Sequence, residues 1–524
     1  MSPFNQHNKE DGSFGKLPQL WEEDDSGNKS KATRWLLFST QYQQVEQEPQ
    51  KDLHNLDSLF LDTSPPFRYQ MHELADIESQ YSELIKPHTS HDAVRHEVRG
   101  PKLSTDAVIR LGGERFIQSC SSSVNDISMP THPYGGSFSG FTDQEVKDIE
   151  LIENLLLSAE KVTHQQFERS SKLLDWCDLL SSSSGNPIQR LAHYFSKALR
   201  EKMANESGII SSHGSGKKDV AEMEGRMMTP NPTTLSVYQK LPFLQAGQFP
   251  GVQALVDAVA GATKVHIIDL SIKQGVQHTI LMQAIASQPN LIIESLKITA
   301  VGTMFKEKLE QTGDRLRSFA ESISMCLTFN VAMVEDMLDF KEDLFELDPD
   351  EALAVYSSHA LWGMIGQQDR LECLMNVIKN INPRVMVVSE VAANLNSPNF
   401  VNRFIEALFF YGAFFDSLED CLDREDENRA ITESMYFGNA IWSIVAAEGE
   451  DRVVRHVNID VWRKFFARFG MQETELSMSS LYQANLMAEK LPSGSSCTFD
   501  MDEKCLIIGW KGTPIHSLSA WKFS

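Results

Sequence analysis

The amino-acid sequence predicts an α/β fold in which a mostly parallel, Rossmann-like sheet has helices on both faces. Short apolar runs of strand length alternate with amphipathic helical segments between residues 265 and 510. The most informative run is Val265-His266-Ile267-Ile268-Asp269, which ends in an acid and leads into a loop with one glycine. Such a run is typical of a buried parallel strand whose carboxyl end opens toward a helix.

The order of the elements gives the parallel topology. Each strand segment is short and apolar, whereas each helical segment repeats apolar residues every three or four positions. We predict strands at 265–270, 296–301, 326–331, 352–356, 385–389 and 505–510, and helices at 276–288, 305–322, 368–381, 400–410 and 429–447. This alternation indicates a Rossmann-like α/β core over residues 233–524.

Ahead of the core, three leucine-rich helices predict an α-helical cap over residues 142–205. Thr142 and Glu145 form a capping-box pattern, and apolar residues then recur at helical spacing. The leucine stripe could serve core packing or dimerisation, and core packing is favoured. Residues 206–232 are polar and contain Pro230 and Pro232, which predicts a mobile loop.

Residues 1–140 are rich in Ser, Gln, Asp, Glu and His and predict a variable, mostly disordered region. Apolar islands interrupt it at Trp21, at Trp35–Phe38 and between Leu53 and Leu61, and acids lie beside the first and within the third. Acids interleaved with bulky apolar residues are typical of segments that fold onto coactivators. The alternative is that these are random apolar residues in a tail. Residues 104–117 predict a short docking helix interrupted at Gly112-Gly113.

The composition narrows the functional classes. The chain has 48 Lys and Arg against 72 Asp and Glu, a formal net charge of −24, and no basic run longer than Lys217-Lys218. Because DNA affinity depends on cations that neutralise phosphates, contact with DNA is expected to be mainly indirect. The seven cysteines include no close pair, which predicts reduced thiols and no zinc site. No apolar run approaches the roughly 20 residues that span a bilayer, so no membrane association is expected.

The loop after Asp269 predicts that no cofactor binds. Nucleotide-binding loops need several glycines because the backbone must approach the ligand closely. Only Gly275 is present here, while Ser271, Lys273 and Gln274 would crowd a cofactor. The acid that would bind a ribose hydroxyl at the end of the next strand is also missing.

Other polar and aromatic residues have two readings each. His266 and Asp269 could form an acid–base pair, but a regular strand turns them to opposite faces, which favours a structural role for Asp269. Trp510 and Trp521 are packing anchors or an exposed aromatic patch. The basic residues at 452, 455 and 456 could bind phosphates or an acidic partner, but ion pairing within the domain is favoured.

Several motifs resemble those of the plant GRAS family of transcriptional regulators, in the order and spacing that the family shows. VHIID is complete at 265–269, QRLAHYF at 189–195 is similar to a helix of the first leucine-rich region, and GWKGTP at 509–514 with SAW at 519–521 is similar to the carboxyl-terminal segment. Residues within 351–419 resemble the second half of the family's domain, up to and including its PFYRE segment. The resemblance extends from Thr142 to the last residue.

The resemblance implies partner-binding candidates within these motifs. They are Val265, His266, Ile267, Ile268, Asp269, Gln274, Gly275, Gln189, Arg190, Leu191, Tyr194, Phe195, Pro383, Arg403, Phe404, Tyr411, Trp510, Gly512, Ser519 and Trp521. His278, Trp442 and Val454 depart from the usual residues of the family. The loop 271–275 is similar to that of the DELLA branch, but residues 1–140 contain no DELLA or VHYNP motif, so gibberellin-triggered degradation is not implied.

Three hypotheses follow. The resemblance implies a nuclear scaffold or co-regulator that binds DNA-binding transcription factors and other GRAS proteins, as homo- or heterodimers, while the acidic tail recruits coactivators. The second hypothesis is an S-adenosylmethionine-dependent methyltransferase, against which the single-glycine loop argues. The third is a regulator that binds a small molecule without catalysis. We expect no enzyme activity and no cofactor.

Overall fold

A computed structural model of the chain describes Phe60 and residues 103–122, 141–208, 216–288 and 291–524. Apart from Phe60 and residues 103–122, the region 1–140 that was predicted to be mostly disordered lies outside these residues, and so do the apolar islands other than Phe60.

The described helices ahead of the sheet build the cap and lead into the core. They are α1 (Thr105–Ser122), α2 (Asp143–Thr163), α3 (Phe167–Leu180), α4 (Pro187–Glu206), α5 (Gly216–Met227), α6 (Pro232–Lys240) and α7 (Pro242–Ala258). The Thr142 hydroxyl accepts a hydrogen bond from the Glu145 amide, and the Glu145 side chain bonds back to the Thr142 amide. This confirms the predicted capping box at the start of α2.

Nine strands of the described chain form one sheet in the order β3-β2-β1-β4-β5-β9-β8-β7, with β6 paired to β9. Their bounds are β1 (Lys264–Asp269), β2 (Ser295–Gly302), β3 (Leu327–Met333), β4 (Ala352–Ser358), β5 (Val385–Val391), β6 (Met471–Thr474), β7 (Cys497–Asp502), β8 (Cys505–Trp510) and β9 (Thr513–Phe523). Strands β1 to β5 are parallel to one another, and β6 to β9 add antiparallel pairs. The predicted α/β class is confirmed.

The helices that alternate with the strands cover both faces of the sheet. They are α8 (Val276–Ala286), α9 (Lys306–Ser322), α10 (Gln368–Ile381), α11 (Phe400–Cys421), α12 (Glu427–Ile431), a π-helix (Thr432–Phe437), α13 (Gly438–Val445), α14 (Ile459–Ala467) and α15 (Met478–Lys490). Short 3-10 turns lie at Met337–Asp339, Glu342–Phe345, Trp362–Met364, Gly449–Asp451 and Gly494–Ser496.

Strand β1 lies at the centre of the fold, between β2 and β4. Val265 and Ile267 belong to the apolar core on one face, whereas Ile268 belongs to the core on the other face. A strand that is buried on both faces has no polar side, which is why this segment reads as a continuous apolar run. All parallel strands present their carboxyl ends to one edge of the sheet, where Asp269 lies.

Order in the described chain begins before Thr142, because α1 packs on the cap as one continuous helix. A Cβ atom at Gly112 would lie 2.6 Å from Ile152 Cγ2 of α2, so the glycine lets the two helices approach closely. The prediction of an interruption at Gly112-Gly113 is therefore wrong. Helix packing offsets the low helix propensity of the two glycines.

Two further boundaries differ from the sequence prediction. Helix α5 lies within 206–232, where a loop was expected, because its Lys, Glu, Ala and Met residues favour helix despite their polarity. Helix α11 continues to Cys421, not residue 410. Its second half passes beneath α1, where a Cβ atom at Gly412 would lie 2.5 Å from Ile109 Cδ1.

A buried guanidinium connects the cap to the core. Arg190 of α4 is fully buried and donates from Nε to Glu433 Oε1 at 2.9 Å and from Nη1 to Glu419 Oε2 at 2.7 Å. Its Nη2 also donates to the Phe415 carbonyl of α11 at 3.2 Å. Arg190 therefore satisfies acceptors from α11 and from the π-helix at the same time.

We expect Arg190→Ala to lower the free energy of unfolding by about 3–5 kcal/mol, because it removes the hydrogen-bonded cation from the buried Glu433. Arg200→Ala on the same helix is the matched control. Its pairs with Asp175 and Asp178 are exposed, so we expect a loss of about 0–1 kcal/mol. Urea unfolding of the full chain, followed by far-UV circular dichroism, measures both. Equal losses of unfolding free energy in the two variants would show that Arg190 does not stabilise the junction of cap and core more than an exposed ion pair does.

Candidate functional site

The carboxyl end of β1 is occupied by hydrogen bonds from the protein itself. Asp269 is fully buried. Its Oδ2 accepts from Gln277 Nε2 at 2.9 Å and from His278 Nε2 at 2.7 Å, while its Oδ1 accepts from the Ser271 amide at 2.8 Å. Four groups therefore make a closed polar centre, and the carboxylate has no acceptor site directed at an open cleft.

The loop between β1 and α8 is fixed to its neighbours. Gly275 precedes α8 with φ +74°, and a Cβ there would lie 2.9 Å from Thr312 Cγ2. Gln274 Nε2 donates to the carbonyls of Met227 and Thr229 and to Thr234 Oγ1, at 3.0 to 3.3 Å. The Gln274 side chain therefore connects this loop to the segment 227–234.

His266 and Asp269 do not form a pair. His266 Nε2 lies 2.8 Å from Thr299 Oγ1, and its Nδ1 lies 3.3 Å from Glu351 Oε2. Burial, with a smaller contribution from Lys297, lowers the pKa of His266 to about 3. The imidazole is therefore neutral at pH 7. The structural reading of both residues is confirmed.

A second polar cluster, which the sequence analysis missed, lies at the ends of β4, β5 and β9. We call Glu390, His359, His456 and His516 the strand-end cluster. His359 Nε2 lies 3.1 Å from His516 Nδ1, and Glu390 Oε1 accepts from the Leu361 amide at 2.9 Å. Among the described residues, Glu390 Oε2, His456 Nδ1 and His516 Nε2 have no hydrogen-bond partner.

Burial decides the protonation of this cluster. It raises the pKa of Glu390 to about 8, against which the Leu361 amide and Lys273 act. Burial likewise lowers the pKa of His456 to about 3 and that of His516 to about 4, with His516 and Lys273 as the respective second causes. At pH 7 the carboxyl is mostly protonated and both imidazoles are neutral. The cluster is therefore polar and carries little charge.

One signal could have revealed this cluster. Glu390 interrupts the apolar run of β5, and an acid in a strand that is buried on both faces needs a partner from another element. The Leu361 amide comes from the turn after β4, 29 residues before Glu390, and His516 comes from β9, 157 residues after His359. No spacing rule in the sequence identifies such a set.

The cap motif contributes to the interior. Leu191 and Phe195 are fully buried, and the Phe195 ring meets Phe404 edge-on at 5.2 Å between ring centroids. Gln189 closes a capping box with Asn186 at the start of α4, and the half-buried Tyr194 lies 5.8 Å from Phe415. The favoured core-packing reading of this helix is confirmed by the burial of Leu191 and Phe195.

The PFYRE-like and SAW-like residues also pack inside. Arg403 is 2% exposed and donates to the carbonyls of Ile444 and Ser397 and to Glu448 Oε1. Pro383 and Tyr411 are buried too.

Trp510 Nε1 donates to Asp416 Oδ2 at 2.8 Å, while Trp521 Nε1 donates to Ser519 Oγ at 2.9 Å. The tight turn at Gly512, with φ +84°, joins β8 to β9. Both tryptophans are buried packing anchors, and Trp510 connects β8 to α11.

The basic residues near position 455 are used within the domain. Arg452 Nη1 donates to the Leu395 carbonyl at 3.4 Å, and Arg455 Nη1 donates to Asn396 Oδ1 at 3.0 Å. His456 lies against the Trp362 ring at 5.1 Å. The side chains that depart from the family pattern are interior as well: His278, Trp442 and Val454 are all less than 9% exposed. For all the motif residues, a role in partner binding stays a prediction.

Two further properties of the described residues concern metal ions and membranes. Among these residues, no group of three or more His, Cys, Asp or Glu side chains could hold a metal ion. The helices that they form are too short or too polar to cross a bilayer. The six cysteines with described side chains are free thiols.

Comparison with known proteins identifies relatives of this architecture. A family model described as the GRAS domain family matches residues 151–522. DELLA protein 1 of Medicago truncatula is 29% identical over 397 residues, which span 72% of this chain and 64% of that protein. DELLA protein RGL3 of Arabidopsis thaliana is 29% identical over 382 residues, or 72% of this chain and 70% of that protein. The matched region is thus less than two thirds of the first relative.

A solved structure has the same fold. The crystal structure of SCL7 from Oryza sativa aligns with a TM-score of 0.62 and 26% sequence identity. The alignment covers 71% of this chain and 99% of the SCL7 chain.

The strand-end cluster predicts a pH-dependent stability. Glu390 has a pKa near 8 in the folded chain and an ordinary value near 4.5 when unfolded. The folded state therefore holds the proton more tightly, and stability from this group falls as pH rises from about 4.5 to 8. We expect Glu390→Gln, which keeps the acceptor for Leu361, to be more stable than wild type.

The advantage of Glu390→Gln should grow by about 1–3 kcal/mol between pH 5 and pH 8. Thermal unfolding of both proteins at several pH values measures it. Glu351→Gln, at a half-buried carboxyl outside the cluster, controls for the loss of a charge. A constant difference across this pH range would mean that Glu390 is ionised in the folded state.

Proposed function

Because the chain belongs to the GRAS domain family, we propose that it is a nuclear transcriptional regulator that acts as a scaffold or co-regulator and not as an enzyme. In this function the folded domain binds DNA-binding transcription factors and other GRAS proteins. The acidic amino-terminal region recruits coactivators, and contact with DNA is indirect. The net charge of −24 favours basic protein partners over nucleic acid.

One observation carries the non-enzymatic part of the proposal: Gln277 and His278 occupy the strand end at Asp269. In dinucleotide-type folds this edge of the sheet binds the ligand. Here, hydrogen bonds at 2.7 and 2.9 Å from α8 satisfy the carboxylate. A ligand would have to break both bonds and leave buried polar groups unpaired, which costs about 1–3 kcal/mol for each group.

The cap supports the partner-binding part. Trp176 and Leu179 of α3 are 47% and 71% exposed. They are three positions apart and therefore share one face of the helix. Exposed tryptophans are enriched among the residues that dominate binding energy. We assign this face, the α3 patch, to the binding of a protein partner.

A second candidate function is the binding of a small molecule without catalysis. The unpartnered Glu390 Oε2 and His516 Nε2 favour it, because buried polar atoms normally have a partner. The closed geometry at Asp269 favours the scaffold.

A thermal-shift measurement separates a cofactor-binding protein from a scaffold. We expect no change in the melting temperature of the full chain when S-adenosylmethionine is added, because a ligand stabilises only a folded state that binds it. A methyltransferase known to bind this cofactor is the positive control. A concentration-dependent rise of several degrees would contradict the scaffold proposal.

Pull-down from plant nuclear extract tests the α3 patch. We expect Trp176→Ala/Leu179→Ala in the full chain to lose captured transcription factors at least about tenfold, which corresponds to the removal of one dominant aromatic contact. Since both side chains are exposed, the melting temperature should stay within about 2 °C of wild type.

The matched control is Met478→Ala/Tyr482→Ala, which removes an exposed apolar pair from α15, where the two side chains are 71% and 62% exposed. Equal capture by wild type and the α3 variant would remove the patch from the proposal. Equal loss in both variants would mean that the partners bind exposed apolar residues without specificity for the α3 patch.

A further inference from the structure

Phe60, which belongs to the acidic leucine-rich island of the amino-terminal region, is buried in the folded domain. Its side chain is 1% exposed and is part of the apolar core on the Ile268 face of the sheet. The ring lies 5.7 Å from the Trp462 ring, edge-on, and 5.3 Å from the Phe465 ring. Both of these residues belong to α14.

The contact includes a polar component. Asn396, which is 2% exposed and follows β5, donates from Nδ2 to the Phe60 carbonyl at 2.7 Å. Arg455 orients the Asn396 amide by donating to its Oδ1 at 3.0 Å. An apolar cavity that holds an aromatic ring, with a placed polar group for a backbone carbonyl, has the character of a ligand pocket.

Charge also agrees with the occupant. Arg452 and Arg455 lie beside the Asn396 contact. In the sequence, Asp57 precedes Phe60 by three positions and Asp62 follows it by two. An acidic segment whose aromatic residue binds here is therefore close to Arg452 and Arg455, whose charge complements its own.

We propose that Trp462, Phe465 and Asn396 form a peptide-binding pocket whose ligand is the chain's own segment around Phe60. The pocket accepts an aromatic side chain from an acidic, leucine-rich peptide. Because the segment is tethered, its effective concentration is high, and the pocket is occupied without any partner. An outside segment of the same chemistry binds only by displacing it.

This inference deepens the proposed function, on which it rests in one respect. The island that contains Phe60 is one of those that we assign to coactivator binding. While Phe60 occupies the pocket, this island is not accessible to coactivators. The pocket itself does not depend on that role, and peptide binding can be measured without any partner protein.

Peptide binding to the full chain tests the pocket. The probe is a fluorescein-labelled synthetic peptide with the sequence of residues 52–66. We expect it to bind the Phe60→Ala chain at least about tenfold more tightly than wild type, because the variant leaves the pocket free. The same peptide with Phe60 replaced by alanine should bind the variant about 10- to 100-fold more weakly.

Two controls make the result specific. Phe38→Ala, in another apolar island of the same region, should leave peptide affinity at the wild-type level. In the Phe60→Ala chain, Asn396→Asp removes the N–H donor but keeps the shape and the contact with Arg455. It should weaken peptide binding about 2- to 10-fold, while thermal unfolding checks that the domain stays folded.

Equal peptide affinity for wild type and Phe60→Ala, or no binding to the variant, would overturn the proposal. Light scattering adds a third outcome. A wild-type dimer that becomes a monomer in Phe60→Ala would show that the pocket takes Phe60 of a second copy, which would also overturn docking within one chain. Loss of transcription-factor capture would not bear on these measurements, so the two proposals fail separately.

Discussion

The structure depends on one constraint: the carboxylate of Asp269 is buried at the end of the central strand and must be satisfied. The protein satisfies it from within, through the Ser271 amide and the side chains of Gln277 and His278. Burial of an unpaired carboxylate would cost several kcal/mol. The hydrogen bonds therefore hold the start of α8 against the carboxyl end of β1.

The strand-end cluster also contains a buried carboxyl group, that of Glu390, but its burial is accommodated in a different way. At Asp269, hydrogen-bond donors satisfy the carboxylate oxygens. At Glu390, burial instead raises the pKa until the carboxyl group is mostly neutral at pH 7. The neighbouring imidazoles are neutral for the same reason. The two strand ends therefore satisfy their buried carboxyl groups in different ways. The proposed recognition surfaces are the α3 patch and the pocket at α14.

Those surfaces are set by how the helical parts are joined to the core. Arg190 connects α4 to α11 and to the π-helix, and Phe195 meets Phe404 across the same junction. With one side of the cap used for this junction, Trp176 and Leu179 remain at the outside. On the opposite face of the sheet, α14 and Asn396 receive Phe60. The proposed partner surface is thus on the cap, and the proposed peptide pocket is at α14.

The sequence by itself determined the α/β class, the positions of the parallel strands and most helices, and the crowded loop after Asp269. These features follow from local patterns: apolar runs, helical periodicity, a capping box and the number of glycines in one loop. Only the tertiary structure decided the unbroken course of α1 through Gly112-Gly113, the length of α11, the strand-end cluster and the burial of Phe60. Each of these depends on contacts between residues far apart in the chain. Such contacts supply the packing and desolvation energies that outweigh local propensity, and no local pattern records them.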